Sequence, residues 1–147
     1  MQRFFKLSNM ITSKDLRLGN YVIGFYEDEE GLEENEDILF EAVCRVTSLD
    51  CSGFLDFNIY VESDDCNIEV YEKFEGIDLT EEWLIKLGLK KIEEYCFELD
   101  DIHVNTKREL IWITTKCKRE LEFDIPNYIH ELQNLYFALT GSELTVA

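Results

Sequence analysis

The chain has 147 residues, 46% of them hydrophobic and 13% aromatic, which is enough apolar material to offset the entropy of folding. Global disorder is therefore excluded. The 32 acidic residues outnumber the 14 basic ones and give a formal net charge of −18, which repels nucleic-acid phosphates and anionic lipids. We therefore expect neither direct nucleic-acid binding nor membrane binding.

The first half of the chain, residues 1–75, is predicted to be β-rich. Residues 16–26, 39–49, 54–62 and 68–71 read as four strands, and the third alternates cleanly between apolar and polar side chains. A bend is expected at Gly19 and Asn20. Four strands at this close spacing predict a small curled antiparallel sheet or an SH3-like barrel.

A dense run of acidic residues interrupts these strands at positions 27–37. Because like charges at this density cannot pack together, we predict a solvated loop. No basic residue occurs between Arg17 and Arg45, so the loop forms an acidic lobe beside an aromatic-rich sheet. The predicted partner-binding residues are Tyr26, Glu27, Asp28, Glu29, Glu30, Glu33, Glu34, Glu36, Asp37 and Phe40.

The second half, residues 76–147, is predicted to be an α+β arrangement that shares one core with the first half. A helix is predicted near residues 80–88, beginning at Thr80 and ending at Gly88. A second helix is predicted to begin with Pro126 at its first position and to run to residue 140. Between them, residues 95–99, 102–104, 110–114 and 121–125 predict an antiparallel meander. The tail from residue 142 is a candidate edge strand through Leu144 and Val146.

The histidines offer no predicted catalytic or metal site. The pair His130 and Glu131 resembles the start of a zinc-protease helix, but Asn134 occupies the place of the second histidine. His130 falls on the predicted polar face of its helix, and His103 falls in a predicted turn. Aligning the acidic loop with a calcium-binding loop also fails at the first and last ligand positions.

The cysteines at positions 44, 51, 66, 96 and 117 are odd in number and widely spaced. They therefore favour a reducing compartment over a disulfide framework or a metal site. Cys96 and His103 are the nearest thiol and base in the sequence, and glycine-rich phosphate loops are missing. We predict no catalytic residue, no metal and no cofactor. With no secretory signal and no long apolar run, a cytoplasmic location is expected.

Three segments carry a resemblance to other proteins. They are LRLGNYV at 16–22, LTEEWL at 79–84 followed by KLGL at 86–89, and YIHELQNLYFALTG at 128–141. Together they resemble small uncharacterised proteins of phages, prophages and mobile elements of Bacteroidota. The resemblance implies a mobile-element protein made inside a bacterial host cell, and it carries over no catalytic residue.

Two functional hypotheses follow from charge and aromatic content. The leading one is a non-catalytic acidic protein that binds the basic surface of a protein partner, such as a host defence factor, by imitating nucleic acid. The alternative is a protein that binds or sequesters a nucleotide-like small molecule, with Arg17, Arg45 or Lys73 meeting its anion. Homo-oligomerisation and a role in virion assembly are left open by the sequence.

Overall fold

The computed structural model describes residues 15–27, 39–52, 56–63, 69–70 and 73–146. The chain divides into two compact units, residues 1–77 and 78–147. Each contains an antiparallel sheet, and the second also contains two helices, so the predicted α+β class is confirmed. Within the described ranges, no helix is long and apolar enough to cross a bilayer.

The first unit contains five antiparallel strands in the order β4-β3-β2-β1-β5. Residues Val46 to Ser48 of the longest strand interrupt its register with the next one. Among the predicted strands, the first begins at Tyr21 rather than residue 16, and the last strand of the sheet was not predicted. The strands are β1 (Tyr21–Glu27), β2 (Leu39–Ser52), β3 (Asp56–Ser63), β4 (Glu69–Val70) and β5 (Lys73–Glu75).

This sheet is open, so the alternative of an SH3-like barrel is wrong. The two edge strands, β4 and β5, pair with β3 and β1 respectively, and no pairing among the described strands joins one edge to the other. Closure requires edge strands long enough to pair along a tilted and staggered seam. Among the described residues, β4 pairs with β3 and β5 with β1, and they form no such seam with each other.

The segment before β1 is held against β2 by hydrogen bonds rather than continuing the strand. Gly19 has a φ of 87°, a left-handed conformation that glycine adopts without steric cost. Its N–H donates to the Val46 carbonyl at 2.7 Å, and the Val46 N–H donates to the Asn20 carbonyl at 2.9 Å. The buried Asn20 side chain also accepts from the Arg17 N–H at 2.7 Å, which closes the turn.

The second unit contains a five-stranded antiparallel meander, in the order β10-β9-β8-β7-β6, and two helices. The predicted meander is confirmed, and one additional strand, β6, precedes it. The four residues of β6, KKIE, are all exposed. Their sequence does not alternate between apolar and polar side chains, so it did not predict a strand. The elements are α1 (Glu81–Lys86), β6 (Lys90–Glu93), β7 (Cys96–Leu99), β8 (Ile102–Asn105), β9 (Leu110–Thr114), β10 (Glu120–Asp124) and α2 (Ile129–Thr140).

The start of α1 is confirmed and the start of α2 is corrected. Thr80 caps α1 by accepting from the Trp83 N–H at 3.3 Å. α2 begins at Ile129 rather than at Pro126, with Tyr128 as its N-cap. The Tyr128 N–H donates to the Glu131 carboxylate at 3.2 Å, which satisfies a main-chain donor at the helix start.

The core of the second unit lies between one face of the sheet and apolar residues of the helices. α2 packs against β9, and its buried residues include Ile129, Leu132 and Tyr136. The buried face of the sheet presents branched and aromatic side chains, which pack well on a pleated surface. The buried residues that strands and α1 contribute are Leu84, Phe97, Ile102, Val104, Ile111 and Ile113.

The C-terminal tail packs on α2 and does not form the predicted edge strand within residues 142–146. Leu144 is 1% exposed, and its carbonyl accepts from the buried Gln133 amide at 2.8 Å. A donor on the helix, the Gln133 side-chain amide, therefore replaces the ladder partner that an edge strand would need.

The C-terminus of α2 meets the turn between β9 and β10. Gly141 ends the helix with a φ of 71°, and its N–H donates to the Phe137 carbonyl at 2.8 Å. The last turn of α2 has no basic residue of its own. The side chain of Lys116, from the turn, lies where a Cβ on Gly141 would be, and so it brings a positive charge to the negative end of the helix.

Replacing Gly141 with alanine should destabilise the protein by about 1–2 kcal/mol, because a left-handed residue with a Cβ is strained and the Lys116 side chain must move aside. Urea unfolding followed by circular dichroism measures this loss. The neighbouring exposed substitution Ser142→Ala is the control and should cost less than about 0.5 kcal/mol. Equal stability of Gly141→Ala and the wild type would contradict the assigned helix end.

The phenol of Tyr136 makes stability depend on alkaline pH. Burial raises its pKa above the ordinary value of 10.0, and the carboxylates of Asp101 and Asp100 raise it further. Since the unfolded chain ionises this group first, its contribution to stability is complete below about pH 10 and is lost as the pH rises toward the folded-state pKa. Tyr136→Phe should therefore lose less stability than the wild type between about pH 9 and 11.

The measurement is the free energy of unfolding in urea at each pH. Tyr95→Phe, which removes the hydroxyl of an exposed tyrosine, is the matched control and should follow the wild type. Parallel pH profiles for Tyr136→Phe and Tyr95→Phe would contradict the role assigned to Tyr136.

Candidate interaction surface

The sheet of the second unit has two faces of opposite character. Side chains alternate along each strand, and directly paired residues on neighbouring strands share a face. One face is the buried face described above. The other, which we call the outer face, is formed by Lys90, Glu93, Cys96, Glu98, His103, Asn105, Leu110, Trp112, Thr114, Glu120, Glu122 and Asp124.

One row of the outer face crosses all five strands. From β6 to β10 it consists of Lys90, Glu98, His103, Trp112 and Glu122, and each residue is paired directly with the next. Directly paired side chains in an antiparallel sheet lie close enough to interact. The row therefore places the imidazole and the indole between the carboxylates of Glu98 and Glu122.

Trp112 lies near the centre of this row, and its ring is held in place. The indole N–H donates to the Glu122 carboxylate at 2.8 Å. On the other side, the rings of His103 and Trp112 meet edge to face, with centroids 5.6 Å apart and an angle of 61°. The half-buried indole therefore needs little ordering before it contacts a partner.

Burial on the outer face follows charge. Its uncharged side chains, including His103 and Trp112, are half-buried and lie on the three central strands. Its charged side chains are all exposed, and they comprise five carboxylates and one lysine. The charged residues are Lys90, Glu93, Glu98, Glu120, Glu122 and Asp124. A weakly polar centre with a charged rim is the usual anatomy of a protein interface.

A groove of about 630 Å³ opens at the end of the outer face where β6 turns into β7 and β8 into β9. Lys107 and Arg108 line it together with Glu93 and Glu94, and the Lys107 ammonium lies 5.4 Å from the centre of the Tyr95 ring. Asn105 also belongs to the lining, where its side chain donates to the Cys96 sulfur at 3.5 Å and accepts from the Arg108 N–H at 2.9 Å.

The structure places three of the predicted partner-binding residues in strands. Tyr26 is paired directly with Phe40, and Glu27 with Leu39, at the end of the β1–β2 pair that residues 28–38 connect in sequence. Tyr26 and Phe40, far apart in sequence, are therefore cross-strand neighbours. The other predicted residues, Asp28, Glu29, Glu30, Glu33, Glu34, Glu36 and Asp37, lie outside the described residues.

His103 is in strand β8 and not in a turn, which corrects the sequence prediction. The turn consists of Asp100 and Asp101, and Asp100 has a φ of 35°. Cys96 is paired with Asn105, while His103 is paired with Glu98, so the thiol and the imidazole are offset along the strands. The Cys96 sulfur instead accepts from the Asn105 amide, so the structure shows no thiol–imidazole pair here.

The prediction that His130 lies on the polar face of its helix is wrong. His130 is 4% exposed, and its ring stacks on Tyr128 with centroids 5.8 Å apart and an angle of 15°. The stack places the ring at the helix start beside the N-cap. In the part of the chain that the structure describes, no cluster of three or more histidine, cysteine or acidic side chains could hold a metal ion.

The cations suggested for anion binding in the first unit are spread along the sheet. Arg45 is paired with Tyr21 and Lys73 with Phe25, so their backbone positions differ by four residues of β1. This corresponds to about 14 Å along the strand. Arg45 is exposed, and the structure does not bring these two residues to one point.

Comparison of the chain with protein-family models, with curated proteins and with solved structures finds no match. The resemblance to mobile-element proteins therefore stays a prediction.

Sequence reasoning missed the outer face as a site. The alternation of Glu120, Glu122 and Asp124 with apolar residues was visible and predicted a strand correctly. Its functional signal was that all three outward residues carry the same charge. The position of Trp112 between them and Glu98 depends on the order of the strands, which the alternation does not specify.

Proposed function

We propose that this protein is a non-catalytic, acidic interaction protein that binds a basic surface of a protein partner. The observation that carries the proposal is the outer face, where the held indole of Trp112 lies within a rim of exposed carboxylates. Tryptophan is one of the residue types enriched among energetically dominant interface contacts. The rim supplies charge complementarity to lysine and arginine.

The charge of the whole chain supports the same function. A net charge of −18 speeds the encounter with a cationic surface and suppresses encounters with nucleic acid or anionic lipid. Such a surface can occupy the nucleic-acid site of its partner, as in inhibition of a host defence factor. The resemblance to phage and mobile-element proteins favours this role and a cytoplasmic location in a bacterial host.

Binding to a cationic probe should depend strongly on salt and on the outer face. Decalysine is a suitable probe, and its affinity measured by fluorescence anisotropy should fall steeply between about 0.05 and 0.5 M salt. The double variant Glu98→Gln/Asp124→Asn removes one rim carboxylate on each side of Trp112. We expect it to weaken binding about 5- to 10-fold at low salt, since each exposed charge pair contributes up to about 1 kcal/mol.

The matched control neutralises two exposed carboxylates in the turns, Glu94→Gln/Glu109→Gln, and leaves the net charge the same as in the first variant. It should change the affinity less than about twofold. Equal weakening by both variants would show that only net charge matters. An affinity independent of salt would contradict the proposal altogether.

A second candidate function is the binding of an anionic small molecule in the groove beside Tyr95. Lys107 and Arg108 are adjacent and exposed, and an aromatic ring lies within reach of the same ligand. Arginine and lysine recognise phosphate and carboxylate groups, and aromatic rings stack on planar bases. Glu93 and Glu94 also line the groove, but its two cations are adjacent, which suits a nucleotide-like anion better than the dispersed cations of the first unit.

This candidate is tested by the melting temperature in the presence of ATP and cyclic AMP. A bound ligand should raise it by a few degrees at a concentration of about 100 times its Kd. Lys107→Gln/Arg108→Gln should abolish the rise, and Lys118→Gln/Arg119→Gln, which removes an exposed lysine and an exposed arginine between β9 and β10, should keep it. No rise with either nucleotide, or an equal loss in both variants, would rule out nucleotide binding in the groove.

A further inference from the structure

β10 is one of the two edge strands of the second sheet, and it differs from the opposite edge strand in how its edge is protected. Its register with β9 is continuous over all five residues. β6, at the opposite edge, has an irregularity between Lys91 and Glu93 and carries two lysines. Irregularities and lysines are common devices against the pairing of edge strands. β10 has neither device, so it is the better template for another strand.

Hydrogen bonds on either side of β10 show which of its main-chain groups face outward. The Thr115 N–H donates to the Arg119 carbonyl at 2.7 Å, and the Ile125 N–H donates to the Glu109 carbonyl at 2.9 Å. Both pairs continue the β9–β10 register, and hydrogen-bonded pairs alternate with non-hydrogen-bonded ones in an antiparallel ladder. Leu121 and Phe123 therefore bond to β9.

The N–H and C=O groups of Glu120, Glu122 and Asp124 point away from β9, toward the open edge. The same three residues carry exposed carboxylates on the outer face. The ion pairs among the described residues join Lys86 to Glu82 and Lys91 to Glu81, so these three carboxylates take part in none of them. The same three residues therefore present main-chain hydrogen-bonding groups at the edge of the sheet and carboxylates on its outer face.

A second copy of this chain is a poor occupant of the edge. Antiparallel pairing of two β10 strands about their centres would place Glu122 opposite Glu122 and Glu120 opposite Asp124. Like charges directly opposite in a sheet are destabilising. A strand with a cation at every second position would instead face a carboxylate at each of these places, and its intervening residues would cover Leu121, which is 38% exposed.

We propose that β10 takes up an extended segment of the protein partner as a sixth strand, and that this segment carries lysine or arginine at alternate positions. This inference rests on the proposed function and specifies how the partner binds. The main-chain groups of Glu120, Glu122 and Asp124 provide the ladder bonds, as in other cases of strand addition. Their carboxylates select the basic sequence.

The test compares two short peptides of equal composition bound to the full chain. In one, lysine and threonine alternate, and in the other the lysines are consecutive. We expect the alternating peptide to bind about 10-fold more tightly. We also expect it to slow the amide hydrogen exchange of Glu120, Glu122 and Asp124 about 10-fold, because these amides gain hydrogen bonds. The amides of β6 should be unaffected.

Two variants at Glu120 distinguish the contribution of its main-chain N–H to binding from that of its carboxylate. Glu120→Gln and Glu120→Pro remove the same carboxylate, and only the proline removes the outward N–H. Proline is tolerated at the first residue of an edge strand, so β10 should still form. The proline variant should bind the alternating peptide about 3- to 10-fold more weakly than the glutamine variant. If it fails to fold, amide exchange in the wild type still decides the matter.

The outcomes separate this inference from the proposed function. If both peptides bind equally, with salt dependence and no slowing at β10, the edge is not the docking site and the acidic interaction function stands. If neither binds, both are overturned. If the three amides slow with rising protein concentration and no peptide, the occupant is a second copy, and the inference is likewise overturned.

Discussion

The two-residue alternation of the antiparallel meander is the constraint on which the second unit depends. It directs Phe97, Val104 and Ile111 to one face, where α2 covers the sheet, and it directs Glu98, His103 and Trp112 to the other. A slip of one residue in any strand would exchange the two sets, burying carboxylates and exposing apolar groups. The stability of the core and the composition of the outer face therefore have the same cause.

Charge acts on this framework in two ways. A cation can stabilise a helix end, as Lys116 does at the C-terminus of α2. The carboxylates at the rim of the outer face are exposed and stay hydrated, so they carry no desolvation cost. Glu120, Glu122 and Asp124 would repel the same residues of a second copy of the chain. The charges that would bind a basic partner therefore disfavour pairing between two β10 strands.

The elements that sequence patterns predicted well are those whose signals are local. Thr80 as a helix cap and the alternating strands of the meander depend on residues within a few positions of one another. Pro126 misled because residues just after it are held extended by a distant segment, through the bond from the Leu79 N–H to the Asn127 carbonyl at 2.9 Å. A helix rule based on neighbouring residues cannot include such a contact. The position of His130 was wrong for a similar reason, since its burial depends on tertiary packing.

The sequence by itself determined the fold class, the antiparallel meander and the charge of the surface, because alternation, caps and composition are properties of short stretches of chain. Only the tertiary structure decided that the first sheet stays open, that β6 extends the second, and that Trp112 lies between carboxylates from different strands. These features depend on strand order and register, which are set by contacts between residues far apart in sequence.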